Sequence, residues 1–303
     1  MDFHVACSPR GAEKFAKMAD ATLDDLVRGR AVGRGVSSSV VVAAHRATGE
    51  RYALKVIPKA RIKCQSQLAQ IYREKDLLGA LDHEGIVRFF RTLKDEGHLY
   101  YVLEYLAGGE LLWHMRRAPR RRLAEPDARV CTGALLLPLR YMAEQGVLYR
   151  DLKPTNVVFS RSGRLKLVDF AHAKRVVSIA SERSDSLCGT HHYHAPETVR
   201  GEGHGLPAQL WALGVMIVEM MSGAPPFGYA GADDGLSALH ERVLNAEPEL
   251  ESIDGAAVRL ALVHVPRDAA SSPPLTVSDA HVSRAARTAQ AKLARALLTR
   301  DAA

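Results

Sequence analysis

The texture of the amino-acid sequence changes once along its length, at Gly108-Gly109, and that change restricts the fold more than any other feature. Before it, small and apolar residues alternate around glycines over residues 28–57, where Val40-Val41-Val42 and Tyr52 to Ile57 read as strands of a hairpin joined near Thr48-Gly49. Two more strands are expected near Val87–Leu93 and Leu99–Glu104. Ahead of these, Leu68, Ile71, Leu77, Leu78 and Leu81 recur at helical intervals between Ser66 and Leu81. After the glycine pair, Leu, Ala and Met dominate, and helical patterns cover 127–145, 207–222, 234–245 and 284–299. The chain is therefore expected to be α+β, with a β-rich first part carrying one amphipathic helix, a larger helical second part, and a boundary near residue 106.

Composition narrows the setting. A chain of 303 residues that is 47% hydrophobic has enough apolar surface for two parts, each with a core. No stretch approaches the roughly 18 uncharged apolar residues of a membrane span, and Met1 to Arg10 lacks the apolar run of a secretory signal. A soluble, cytoplasmic protein is expected. Cys7, Cys64, Cys131 and Cys188 are scattered with no CxxC pair, so free thiols are expected rather than a disulfide framework or a zinc knuckle. The net charge of +7 and the cluster Arg116, Arg117, Arg120, Arg121 and Arg122 raise the question of an acidic partner. Without interleaved aromatic platforms they read as a solvated face, and no nucleic-acid partner is expected.

A glycine-rich turn, Val32-Gly33-Arg34-Gly35-Val36-Ser37-Ser38-Ser39-Val40, lies between two strands, where small residues let backbone N–H groups approach phosphate oxygens. A dinucleotide-binding loop would need a helix directly after the glycines, but Val40 to Ala44 reads as a strand. Further on comes Lys55, in Tyr52-Ala53-Leu54-Lys55-Val56, on a strand whose apolar neighbours direct the ammonium inward. Then follow Tyr149-Arg150-Asp151-Leu152-Lys153-Pro154-Thr155-Asn156, Leu167-Val168-Asp169-Phe170-Ala171 and Ala195-Pro196-Glu197, in that order.

With these motifs the chain resembles the eukaryotic protein kinases from about Leu26 to Phe227. The resemblance implies a bilobal fold with an N-lobe over 26–106, a C-lobe over 107–303, an N-terminal extension over 1–25 and an insertion over 250–283. It implies ATP and Mg2+ as cofactors. Lys55 would hold the α/β-phosphates with Glu74 as its partner, and Asn156 and Asp169 would ligate magnesium. Asp151 would accept the proton of the substrate hydroxyl, and Lys153 would neutralise the moving phosphoryl group. Val32 to Val40, Ala53, Leu103, Glu104, Leu106, Glu110 and Val158 would surround the nucleotide. Lysine at 153 is similar to the serine/threonine kinases.

Leu99 to Leu111 and Tyr149-Arg150-Asp151 resemble the branch containing the cyclic-AMP-dependent and phosphoinositide-dependent protein kinases. Ser38, Glu110-Leu111-Leu112, and the lack of Pro-Glu after Cys188-Gly189-Thr190 look more like phosphoinositide-dependent protein kinase. That likeness implies protein substrates, other kinases among them, docked by a hydrophobic tail on Lys59, Ile62, Leu68, Ile71 and Leu99, and a phosphosite at Ser186 facing Arg150. Helix-core packing is an equal alternative for Leu68 and Ile71. No membrane domain is expected.

Four residues depart from the family's pattern in ways that bear on activity. Ala171 replaces a glycine, at a cost of about 1 kcal/mol if the backbone there is left-handed. Gln209 replaces an aspartate that bonds the catalytic-loop backbone, which puts the rigidity of that loop in question. Thr155 and His192 replace acidic residues that would select basic peptides, although Glu110 and Glu219 remain. The expectation is an active serine/threonine kinase acting on activation loops of other kinases, with a pseudokinase scaffold as the alternative.

Overall fold

The structure is a computed structural model that describes residues 18, 20–35, 37–179, 184, 188–230 and 235–249. The chain divides into two compact units, Met1–Ala107 and Gly108–Ala303. Val36, Ser186, the expected insertion and the expected helix over 284–299 lie outside the described residues.

The first unit is a five-stranded antiparallel sheet in the order β1-β2-β3-β5-β4. Its strands are β1 (Leu26–Arg34), β2 (Ser39–His45), β3 (Arg51–Pro58), β4 (Phe89–Lys94) and β5 (His98–Glu104). Valine, tyrosine and phenylalanine crowd these segments, as a pleated, half-buried surface favours. The period of two on β3 sends Tyr52 and Leu54 into a cluster with Leu26, Ala43, Phe90, Tyr100 and Val102. Tyr52 and Phe90 meet edge to face at 5.2 Å. Ala53 and Lys55 take the opposite face, where Lys55 is in register with Val40 on β2 and Tyr101 on β5. Helix α1 (Gln65–Ala80) turns Glu74, Lys75, Leu77 and Leu78 inward. The Tyr101 hydroxyl donates to the Ile71 carbonyl at 2.6 Å, tying the helix to β5.

The second unit is mainly helical: α2 (Leu111–Arg117), α3 (Glu125–Glu144), α4 (Pro196–Arg200), α5 (Leu206–Ser222) and α6 (Gly235–Asn245). Helix α5 is apolar almost all round, and Trp211 to Met221 are buried without a break, as the central helix of a core requires. Trp211 stacks on Phe227 at 5.8 Å, beside Leu239 and Val243 of α6. Two small antiparallel pairs carry the loops. β7 (Val157–Phe159) joins β8 (Leu165–Leu167), and β6 (Val147–Leu148) joins β9 (Lys174–Arg175).

Gly108 fixes the edge of the β7–β8 hairpin. Its N–H donates to the Phe159 carbonyl at 2.8 Å, and the Phe159 N–H returns a bond to the Gly109 carbonyl at 2.9 Å. A Cβ at 108 would stand 2.6 Å from the Phe159 Cβ and 2.7 Å from its carbonyl oxygen. Backbone cannot yield as a flexible side chain does. Gly108→Ala should therefore lower the stability of this unit by about 1–3 kcal/mol, read as a shift of the urea midpoint.

Candidate active site

Within the first unit, the Lys55 ammonium lies 2.5 Å from Glu74 Oε1, and the residues are only 8% and 4% exposed. The strand supplies the cation and α1 the anion. In the glycine-rich turn, the Gly35 N–H donates to the Ser38 carbonyl at 2.8 Å and closes the connection between β1 and β2. A Cβ at Gly33 or Gly35 would find its nearest neighbours at 3.6 and 3.5 Å, ordinary contacts, and neither residue has a positive φ. Among the described residues, neither backbone conformation nor packing demands a glycine at 33 or 35.

Ala53 is half-buried on β3 and Leu103 buried on β5. The Glu104 N–H is taken by the Arg88 carbonyl at 2.9 Å. Leu106 is half-buried just before the unit ends. Of the residues expected to receive a hydrophobic tail, Ile62, Leu68 and Ile71 are half-buried and Leu99 is buried. Lys59 is exposed and donates to the Asp95 carbonyl at 2.7 Å.

Within the second unit, a closed network forms around Asp151, itself 5% exposed. Asn156 Nδ2 donates to the Asp151 carbonyl at 2.9 Å and to its Oδ2 at 2.8 Å. Lys153 Nζ stands 2.8 Å from the same Oδ2 and donates to Thr190 Oγ1 at 2.8 Å. Thr190 passes its own hydroxyl proton to Asp151 Oδ1 at 2.9 Å. Asp151, Lys153 and Asn156, expected together from one motif, are therefore brought together, and both carboxylate oxygens are engaged.

Thr190 is the member that sequence reasoning left unassigned. Its placement depends on Gly189, whose φ is +92° and where a Cβ would meet the Arg150 carbonyl oxygen at 2.6 Å. A glycine required for backbone approach, followed by a hydroxyl residue and then Ala195-Pro196-Glu197, is the signal that was present.

The Val168 N–H donates to the Asn156 carbonyl at 2.9 Å and so sets Asp169 next to Asn156 along the backbone. Asp169 is exposed and left-handed, with φ 59°, a conformation aspartate tolerates better than most residues. Ala171 has no positive φ, so its Cβ meets no such strain: the left-handed turn falls on Asp169 instead. Asn156 directs its amide nitrogen to Asp151, and the donor types that Asn156 and Asp169 offer, an amide oxygen and a carboxylate, suit Mg2+.

Gln209 also departs from its expectation. From α5 its Oε1 accepts the Tyr149 N–H at 2.8 Å, so the longer amide side chain still bonds the backbone leading into Asp151. Its buried Nε2 has no partner among the described residues. The Tyr149 hydroxyl donates to the Val168 carbonyl, and its ring meets Phe170 at 5.2 Å. Gln209→Ala would orphan a buried N–H and should destabilise the second unit by about 1–3 kcal/mol in urea denaturation.

Glu110 is linked to Val158 by an isolated β-bridge, and burial raises the pKa of its carboxyl. Burial likewise raises that of Glu219, which accepts bonds from the Tyr193 and Tyr229 hydroxyls. His192, held down by burial, accepts the Ala230 N–H at 3.2 Å on Nε2 and is therefore neutral. Arg150 donates to the His172 carbonyl at 2.6 Å and to the Ser184 hydroxyl at 2.7 Å.

A five-stranded antiparallel sheet bearing a buried Lys–Glu pair, together with a helical unit bearing an Asp-Lys-Asn-Thr network, defines a phosphotransferase-like class. The protein kinase domain family matches residues 26–269, and the chain belongs to that family. It is 35% identical over 215 residues to the "cAMP-dependent protein kinase catalytic subunit" of Dictyostelium discoideum, covering 71% of this chain and 32% of that protein. It is 36% identical over 218 residues to a "cGMP-dependent protein kinase" of Plasmodium berghei (strain Anka), covering 71% and 25%. It is 36% identical over 214 residues to an "Atypical protein kinase C" of Drosophila melanogaster, covering 70% and 35%. The chain thus spans well under half the length of these curated relatives. Among the described residues, no helix is long and apolar enough to cross a membrane.

Proposed function

We propose that the chain transfers the γ-phosphoryl group of ATP to serine and threonine hydroxyls of proteins in the cytoplasm, activation loops of other kinases among them. The observation that carries the reading is the network of Asp151, Asn156, Lys153 and Thr190. It offers a carboxylate to receive an alcohol proton, beside an ammonium able to balance charge on a moving phosphoryl group. In this reading Lys55, oriented by Glu74, binds the α/β-phosphates, and the N–H groups of the glycine-rich turn meet the phosphate oxygens. Mg2+ held by Asn156 and Asp169 supplies charge neutralisation on the phosphates. Asp151 orients the acceptor hydroxyl and takes its proton, and Thr190 holds the carboxylate in place.

The finer substrate assignment, and the kinship with phosphoinositide-dependent protein kinase, draw support from Ser38 and from the sequence after Gly189-Thr190. They also draw on Ile62, Leu68 and Ile71, which remain half-buried where pure helix-core residues would be covered. A panel of activation-loop peptides, assayed with and without a separate hydrophobic-tail peptide, tests it. Stimulation by the tail peptide that Leu68→Ser removes is expected. Equal rates on all serine and threonine peptides, with no stimulation, would refute the substrate assignment while leaving phosphoryl transfer standing.

A further inference from the structure

Next to the Asp151 network, the second unit gathers three histidines. His191 opens a one-turn 3-10 helix, His191–Tyr193, His194 caps it, and His240 stands on α6. One ring nitrogen from each lies within 4.8 Å of the others. The rings are tilted rather than stacked face to face, with centroids 4.9 Å apart for His191 and His194 and 5.7 Å apart for His191 and His240. In a 3-10 turn, residues three apart eclipse one another, which is why a His-x-x-His spacing puts both rings on one side.

The hydrogen-bond pattern specifies what these nitrogens offer. His194 is 6% exposed, and its Nε2 faces the Cys188 carbonyl at 3.0 Å. A carbonyl only accepts, so Nε2 carries the proton and Nδ1 presents a bare lone pair. That Nδ1 is buried and has no partner among the described residues, and the same holds for His191 Nδ1 and His240 Nε2. A buried polar atom left unpaired is destabilising. Packing of three rings as apolar bodies gives no reason to leave all three unpaired. An imidazole such as His194, which donates one nitrogen to a backbone carbonyl and keeps the other unpaired, has the hydrogen-bonding state of a metal ligand with its supporting partner.

We propose that His191, His194 and His240 bind a nitrogen-preferring divalent cation, zinc above all, with a water in the fourth position. Three imidazoles suit Zn2+ and not Mg2+, so this ion is distinct from the one assigned to Asn156 and Asp169. Zinc–nitrogen bonds of about 2.0–2.1 Å bring tetrahedral ligand atoms to about 3.3 Å of one another, so the rings close inward on loading. Bound zinc clamps the His191–Tyr193 turn to α6, directly after Thr190 and its bond to Asp151. Holding the ion requires none of Asp151, Asn156 and Asp169.

The test uses the full chain freed of metal with a chelator, titrated with Zn2+ by calorimetry and with Co2+ by visible absorption. Expected are one zinc per chain, a tetrahedral cobalt spectrum, and a higher unfolding temperature with zinc. Because losing even a supporting partner costs about 10–100-fold in metal affinity, His191→Gln and His240→Gln should each weaken binding at least tenfold. His45→Gln, altering a half-buried residue of β2 outside the cluster, should leave zinc binding unchanged, and Asp169→Asn protein should bind zinc as wild type does. No zinc binding, or binding unaltered by both His191→Gln and His240→Gln, would overturn the proposal.

Discussion

Asp151→Asn should lower kcat for serine-peptide phosphorylation by about 10²–10⁴-fold, the range general acid–base groups contribute, while the KM for ATP stays near the wild-type value. Asparagine keeps the shape of the side chain and an oxygen to accept the Thr190 hydroxyl, so the loop should hold. What disappears is the charge facing Lys153 at 2.8 Å and the site that receives the alcohol proton. Initial rates at saturating ATP, with circular dichroism as a folding control, measure it. If the carboxylate served only to brace the loop, the variant would keep most of its activity.

Removing one member of the Lys55–Glu74 pair should have the largest effect on stability. Both residues are nearly fully buried and 2.5 Å apart, so Glu74→Leu takes from a buried ammonium its carboxylate partner, at a cost of about 3–5 kcal/mol. Replacing both, as Lys55→Met with Glu74→Leu, should recover most of that stability, because two apolar side chains need neither solvation nor a partner. The double variant should nevertheless be as inactive as either single one. Guanidinium unfolding of all four proteins forms a double-mutant cycle, in which additive losses would show that the pair does not act as a unit.

Much of this was legible in the sequence because it rests on local pattern. The alternation of Tyr52 and Leu54 announced a half-buried strand, and Lys55 in that run had to take the other face. The helix reading over Ser66–Leu81 agrees with α1 to within a residue at each end, and the change in texture at Gly108 coincides with the start of the second unit. Short α2 carries no full period of its own, so no helical pattern predicts it. The cluster of arginines beside it is largely exposed, and Arg117 lies 4.6 Å over the Trp113 ring.

What the sequence concealed is long-range. Thr190 reaches Asp151 only because Gly189 allows the backbone to pass the Arg150 carbonyl. Nothing local to Gln209 says that its oxygen will find the Tyr149 N–H, and residue-by-residue comparison overstated the harm of losing a carboxylate there. Ala171 was judged by the glycine it replaces, whereas the left-handed conformation belongs to Asp169. The three histidines are separated by too much chain for spacing to join His240 to the other two.

Transfer of labelled phosphate from γ-labelled ATP to a serine peptide, compared between wild type and Asp169→Asn, tests the central claim most directly. The account predicts rapid, magnesium-dependent incorporation by the wild type and a rate lower by orders of magnitude in the variant. Equal background rates in the two proteins would contradict it and leave a kinase-family scaffold without turnover.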